Sequence, residues 1–597
     1  MQFLAAAAVL LASYGAGTGL SAVLRLRLPP GLRGRATAFT VGFVALSLVG
    51  FVLGRAGWFS RTALIAIALV CAVPGLVAAV RDLRVLRARW GAAGVERWVL
   101  LATGAVVAFD GLLAGAPPTS GDAIQYHLTA PKLWLSAGRM FDIWWDQTTF
   151  QPFATETHYA FAEALWNGAA ASVVGAGLAG FSAVCVYGLA RSLGGARVAA
   201  FAALIWVAQG MFLWEATGSF TEITTAAFVA LAAWHLVELA RTRALGDVAW
   251  AGLAAGAAAS TKYFGLFVLP ALAVAGVVLI PRGRRLAALG VFLGAAVVCA
   301  PWYVKNWIVA GNPTYPVLNG IFGGKYLGAS YTAYLKIKKE QRGLPGIWRL
   351  AILPIEFLLH RDKFDRGYSL SPAYFLLAPL ALLLRPRRRW VEVLVLALVV
   401  YAVLWFELML EIPRYLVPVL PFAATLAAYA LVVLWRDGGG RKALAVAVAA
   451  VSVLPFAAMT GVFAVRLLPG AVGAESTPHF VQRLTGTYDA FRWLDRNLPP
   501  QGRVLLGVRG PYWLRRPYAV YDLPLFGVDD PTPVIVQRMR DYNVRYLAFF
   551  EGELPAPLRP LRGRLQRIAV LEVPYVTSRT LGESVSKRLV VYRLRGS

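Results

Sequence analysis

From the first residue to about Arg466 the chain repeats one pattern: a long apolar run, a short polar break, then another apolar run. A helix of about 20 apolar residues crosses the roughly 30 Å hydrocarbon core of a bilayer, and the runs have that length. The pattern predicts about fourteen transmembrane helices. The first run, Met1 to about Leu24, has no basic residue in front of it and continues into an arginine cluster, which reads as a retained helix rather than a cleaved signal peptide. The predicted organisation is transmembrane helices over 1–115, a polar and aromatic loop over 116–163, a transmembrane core over 164–305, a long interfacial loop over 306–371, and further transmembrane helices over 372–466. Over 475–597 the pattern changes. His479 to Asn497 reads as a surface helix and Pro533 to Tyr542 as another, while Arg503–Val508, Val544–Phe550, Ile568–Val573 and Arg588–Arg593 read as strands, together a small α/β domain.

Composition agrees: 58% of the residues are hydrophobic, 15% are charged, and mean hydropathy is +0.60, which excludes an ordinary water-soluble globule. The net charge of +28 raises the question of nucleic acid, and the placement of the charges answers it. Arg25, Arg27, Arg33 and Arg35, then Arg81, Arg84, Arg87 and Arg89, Arg191 and Arg197, Arg241 and Arg243, Arg282 to Arg285, Arg385 to Arg389, and Arg436 to Lys442 fall in every second connection. That is the positive-inside signature of a plasma-membrane protein, with no nucleic-acid partner implied. The 116–163 loop, the Trp214–Glu222 connection, Lys262, the 306–371 loop and the turn at Glu411–Arg414 then face outward, as do both termini and the α/β domain. Within the long loop, Tyr331–Arg342 and Ile347–Pro354 mix basic and apolar residues as an interfacial helix does. Cys71, Cys185 and Cys299 lie in separate apolar runs and read as packing residues.

The candidate chemistry gathers on the outward side. In Pro117–Trp134 an acid, an imidazole and a lysine share a short loop. Asp122 with Gln125 has the spacing of a helix N-cap and its partner, Pro131 restarts a helix and Gly138 stops it, with Trp134, Trp144 and Trp145 expected at headgroup level. If the substrate is a sugar on a lipid phosphate, transfer needs a base, cations for the departing phosphate, and groups that hold the sugar. Asp122 is the candidate base, with Glu156 and Glu222 as further acids. Lys262, Lys305 and Arg414 are the candidate cations, and Tyr126, His127, Lys132, Tyr263, Asn306 and Tyr415 the remaining substrate-binding candidates. Each has a plain structural alternative: Asp122 and Glu222 as helix caps, Lys262 and Lys305 as snorkelling residues. Arg414 differs, because a cation at a helix start opposes the dipole unless an anion is near. Asp110 is a carboxylate inside an apolar run. His127 and His158 with Asp122 lack compact metal-ligand spacing, so neither metal nor cofactor is expected.

These residues also carry a resemblance. The runs Asp122-x3-Tyr126-His127-x3-Pro131-Lys132, Pro152-x3-Glu156, Thr221-Glu222, Ser260-Thr-Lys-Tyr, Pro301-Trp-Tyr-x2-Asn306-Trp-x3-Gly311-Asn-Pro-x-Tyr-Pro316 and Pro413-Arg-Tyr-Leu-x-Pro418-x2-Pro421 resemble the bacterial membrane glycosyltransferases of the GT-C fold. These are relatives of the protein O-mannosyltransferases and of the lipid A aminoarabinose transferase, in glycosyltransferase family 39. The similarity spans about Trp98 to Leu434 and rests on the order and sidedness of the motifs. It implies inverting transfer from a polyprenyl-phosphate sugar to a lipid, glycan or protein acceptor, with Asp122 as base and Glu222 where relatives usually have Asp. Relatives often have paired acids in the first loop; here Gly121 precedes Asp122, so a two-acid arrangement would recruit Glu156. Three helices precede the one that usually opens the fold. The alternatives are a lipid-linked-sugar transporter and a lipoglycan ligase.

Overall fold

The computed structural model describes residues 1–89, 94–280, 286–325, 347–359, 370–385, 388–409, 412–521, 531–576 and 583–595. Ten helices among them are long and apolar enough to cross a membrane. Three features account for most of the larger expected number. Helix α7 (Gly168–Val207) is two helices joined at Gly195, whose φ of 84° breaks the run, and the short apolar helices Tyr263–Leu279 and Pro372–Leu382 fill positions that the hydropathy pattern counts as spans.

Helices α1 (Gln2–Val23), α2 (Gly31–Ala56) and α3 (Arg61–Arg89) pack backbone to backbone through small residues. A Cβ on Gly42 would lie 1.7 Å from the Ser13 carbonyl oxygen, and one on Gly75 would lie 1.9 Å from that of Leu11. Only glycine permits such contact, which replaces the hydrophobic driving force that lipid removes. Helix α2 then leans on the core. Phe43 stacks on His158 at 4.1 Å, Thr37 meets His235 at 3.0 Å, and Arg33 pairs with Asp247 at 3.0 Å.

Helix α4 (Val95–Ala114) leads into the first loop. There the expected N-cap is not formed: Asp122 has helical φ and ψ and no capping bond, and Ala123–His127 closes as a π-turn before α5 (Thr129–Ala137). Gly138 ends α5 in the left-handed region, as its sequence position predicts. The turn between α2 and α3 holds the loop by backbone pairing, with Met140 N donating to Gly54 O at 2.7 Å and Phe59 N to Gly138 O at 3.0 Å. The loop returns through α6 (Ala154–Leu165).

The bundle continues with α8 (Gly210–Ala216), α9 (Glu222–Thr242), α10 (Gly246–Thr261), α11 (Tyr263–Leu279) and α12 (Ala287–Ala310). Almost all of α9 is buried, which makes it the axis of the bundle. Of the long loop, Ile347–Ala351 and Leu353–Leu359 are helical, while Tyr331–Arg342 lies outside the described residues. The helices Arg389–Leu408, Leu420–Asp437 and Gly439–Ala471 complete the membrane part.

The C-terminal domain is a five-stranded mixed sheet of order β2-β1-β3-β5-β4, with β1 Arg503–Leu506, β2 Tyr518–Val520, β3 Val544–Phe550, β4 Leu565–Val576 and β5 Ser584–Leu594. Strands β1, β2 and β3 are parallel; β3, β5 and β4 are antiparallel. β3 is central and almost wholly buried, so it reads as a continuous apolar run. Two expectations need correction. The helix expected over His479–Asn497 is two, Thr477–Thr485 and Tyr488–Asn497, because Gly486 takes φ 73°, and the three-residue β2 was too short to register as a pattern.

This domain sits on the first loop. Gly510 N donates to Gln125 at 2.9 Å, Trp513 Nε1 to Pro118 O at 3.0 Å, and Trp144 stacks on Tyr542 at 3.5 Å. Of the three tryptophans expected at headgroup level, Trp134 and Trp145 are buried within the protein and Trp144 stacks on Tyr542.

Candidate active site

Four pieces of chain far apart in sequence deliver charged side chains to one point, the first being Asp122 of the first loop. Lys262 occupies the joint between α10 and α11, where an extended backbone interrupts the helix and turns the ammonium inward. Glu222 is the first residue of α9. Arg414 lies in the turn Pro413–Val419, whose backbone is held by Trp405 Nε1 donating to Ile412 O at 3.0 Å and Tyr401 OH to Tyr415 O at 2.6 Å.

Lys262 Nζ donates to Glu222 Oε1 at 2.8 Å, Arg414 Nη2 pairs with Asp122 Oδ2 at 2.7 Å, and Arg414 Nε lies 3.6 Å from Glu222 Oε1. Two carboxylates and two cations thus form one chain of charge. Glu222 and Lys262 are buried, whereas Asp122 is partly exposed. Glu222 also accepts from Thr221 N at 3.2 Å at the start of α9, so its capping and ion-pairing roles coexist, while Lys262 is buried rather than snorkelling. Glu222 and Lys262 have left water, and every member of the cluster is paired, which is the condition for keeping a charge in a low-dielectric site.

Rings wall the cluster. The Arg414 guanidinium lies 5.2 Å from the centroids of Phe220 and Tyr415 and 5.7 Å from that of Trp214, and Phe264 packs on Tyr415 at 4.1 Å. Burial by itself would raise the Asp122 carboxyl, but the neighbouring basic groups, Arg414 foremost, outweigh it and hold it at about 2. Asp122 is therefore ionised at neutral pH. Tyr126 OH stands 3.5 Å from the same carboxylate.

One turn away, His127 Nδ1 and Glu156 Oε1 share a hydrogen bond of 2.6 Å, both buried. Burial lowers the imidazole and raises the carboxyl, so it disfavours separated charges on this pair. His158 is not part of it; its Nδ1 bonds the Ala154 carbonyl. Among the described residues, no three His, Cys, Asp or Glu side chains are gathered so as to hold a metal ion.

Sequence reasoning missed Glu215. It is buried beside Glu222, accepts from Ile223 N at 3.0 Å, and is raised by burial and then by Glu222. A single acid amid Met211–Trp214 gave no periodic signal. The other predicted residues separate. Tyr263 donates to Tyr315 O at 2.7 Å and receives from Asn306 Nδ2 at 2.7 Å, so both brace the joint next to Lys262. Lys132 reaches instead to the C-terminal domain, where it donates to the carbonyls of Tyr512 and, at 3.2 Å, of Leu514. Lys305 faces a separate aromatic cleft.

Residues 161–307 match the family described as dolichyl-phosphate-mannose-protein mannosyltransferase, a segment that includes Glu222, Lys262 and Asn306 but neither Asp122 nor Arg414. The sequence matches no curated protein. Among solved structures, ArnT from Cupriavidus metallidurans bound to undecaprenyl phosphate superposes with a TM-score of 0.53 at 17% identity, covering 83% of this chain and 98% of that one. The chain has the GT-C fold. The apo form of the same ArnT gives 0.51 at 17% identity, with 84% and 98% covered. AglB, an oligosaccharyltransferase from Archaeoglobus fulgidus, gives 0.46 at 14% identity, with 82% and 74% covered. The GT-C resemblance drawn from the motifs is thus matched in three dimensions, and nearly all of ArnT has a counterpart in this chain.

Proposed function

We propose that the protein moves a sugar from a polyprenyl phosphate to an acceptor hydroxyl or amine at the outer face of a bacterial inner membrane. The observation that carries this reading is Arg414 bridging Asp122 and Glu222 with Lys262 on the same Glu222. A general base and phosphate-holding cations stand in contact within a GT-C fold. The family description names a lipid-phosphate sugar, and the ArnT structure holds undecaprenyl phosphate. The orientation follows from the arginine-rich alternate connections.

In the proposed step the donor phosphate enters between Arg414 and Lys262 and takes over part of their hydrogen bonding. Asp122 then loses the pairing that keeps its basicity low. It accepts the acceptor's proton as the acceptor oxygen or nitrogen bonds to the anomeric carbon, and the bond from that carbon to the phosphate oxygen breaks on the opposite side. The configuration inverts, and polyprenyl phosphate leaves as the anion held by the two cations. Glu222 positions both cations, and the Glu156–His127 pair supports the loop that carries Asp122 and Tyr126. Two cations on the phosphate do the work of a divalent ion, so turnover needs no metal.

The test is transfer by the purified, membrane-reconstituted protein from a labelled polyprenyl-phosphate sugar to cell-envelope acceptors. Lipid, glycan and protein acceptors are separated by analysis of the product. Transfer in the wild type and none in Asp122→Asn, with the same folded yield, supports the reading; equal transfer in both overturns it.

A further inference from the structure

Lys305 lies near the loop-side end of α12, which closes at Gly311. Its ammonium faces the ring of Phe150 at 5.4 Å and makes no hydrogen bond or ion pair with a described residue. Around it is a small, partly open cleft walled by Trp134, Phe141, Phe150 and Trp302, with Asp142 as its carboxylate, so an occupant's phosphate would sit at the mouth. Arg55 pairs with Asp142 at 3.0 Å. Arg55 and Lys305 thus share the single carboxylate of Asp142 and the cleft carries one net positive charge, unlike the reacting cluster, where Arg414 and Lys262 each have a carboxylate.

The neighbouring face of α12 says what reaches it. Val304, Trp307 and Ile308 are exposed apolar residues within one turn of Lys305, at the end of a membrane-crossing helix. Such a face meets lipid at headgroup depth, where tryptophan and lysine are favoured and phosphate is the prevailing anion. Aromatic walls suit the first methylenes of a chain, and a lysine binds phosphate as a point charge. Neither feature suits a free, fully hydrated anion.

We propose that this cleft is a second anion site, separate from the reacting cluster, which takes the phosphate group of a membrane lipid through Lys305. It rests on the outer-face orientation of the proposed function but not on sugar transfer. An occupant would touch Phe150, whose carbonyl receives Asn306 Nδ2 at 2.6 Å and Tyr263 OH at 3.2 Å, and Tyr263 adjoins Lys262. The site is thus mechanically joined to the cluster.

Native mass spectrometry of the delipidated full-length protein tests it, with phosphatidylglycerol, a short polyprenyl phosphate, and the uncharged diacylglycerol and polyprenol as probes. The wild type is expected to hold one phosphate lipid more than Lys305→Met, or to hold it at least tenfold more tightly, and Lys305→Arg is expected to keep it. If both phosphate lipids show this dependence, the source is the bilayer at large; if only the polyprenyl phosphate does, the source is the carrier. Equal binding in the wild type and a folded Lys305→Met, or uncharged lipids held as tightly as phosphate lipids, overturns the proposal. A protein that transfers no sugar yet loses the lipid on Lys305→Met ends the proposed function and leaves this site standing.

Discussion

Arg414 donates to Asp122 at 2.7 Å while its Nε lies 3.6 Å from Glu222, so one guanidinium joins the first loop to the central helix. This explains why an arginine follows Pro413 at a helix start, where the dipole disfavours it. Removing its charge should expose both carboxylates to each other. Arg414→Ala is expected to weaken the apparent affinity for the lipid donor by tenfold or more and to lower stability by about 3–5 kcal/mol, the usual cost of orphaning a buried charge. Arg414→Lys keeps the charge but cannot span both partners, and should recover stability better than donor affinity. Donor titrations and thermal unfolding in the same detergent measure the two effects separately.

Lys262 and Glu222 are expected to be strongly coupled. Either Lys262→Met or Glu222→Gln alone leaves a buried charge without its nearest partner, at a cost of about 3–5 kcal/mol, whereas the double variant should cost much less than the sum. A thermodynamic cycle from unfolding of the four proteins checks this. Additive costs would mean that the 2.8 Å contact contributes nothing specific.

A general base contributes about a hundredfold to ten-thousandfold. Asp122→Asn keeps the size of the side chain and accepts no proton, so transfer should fall by at least that lower factor; its amide oxygen can still accept from Arg414 and Glu222 still faces that guanidinium, so the loss of stability should be smaller than for Arg414→Ala. Chelation is the companion control: transfer at an unchanged rate in excess EDTA agrees with cations holding the phosphate, and a loss restored by magnesium would contradict it.

The docking of the C-terminal domain should depend on pH. Glu163 lies buried beneath it against Tyr512, and burial raises its carboxyl to about 8, above the pull of Lys132 in the opposite direction. The docked state therefore binds a proton that the undocked state releases above the ordinary pKa of 4.5. Its contribution is complete below that value and is lost as pH rises through about 8. Hydrogen exchange of Gly510–Leu514 should show more protection at pH 6 than at pH 8.5. Glu163→Gln should remove the difference.

The hydropathy runs and loop charges made the membrane bundle and the separate α/β domain legible, because both follow from local composition. The acids and cations of the cluster were legible too, as polar residues on one side of the bilayer that lipid would not otherwise tolerate. What was hidden was pairing. Nothing near Asp122 in the sequence reveals that its partner is Arg414, and its spacing to Gln125 suggested a cap, whereas Gln125 is used by Gly510 of the distant domain. The same blindness applied to Trp145, which packs on Tyr518 of that domain, to Trp134, which is buried between Phe59 and Phe153, and to Lys132, which docks the domain. The role of the N-terminal helices likewise appeared only in three dimensions, in the Met140 to Gly54 backbone bond that anchors the first loop to α2.

The most direct measurement is a structure of the full-length protein with a bound polyprenyl phosphate. The account predicts the phosphate within hydrogen-bond reach of both Arg414 and Lys262, with Asp122 released from Arg414 and facing the space an acceptor would fill. A bound phosphate that leaves the Asp122–Arg414 pair intact and touches neither cation would contradict it.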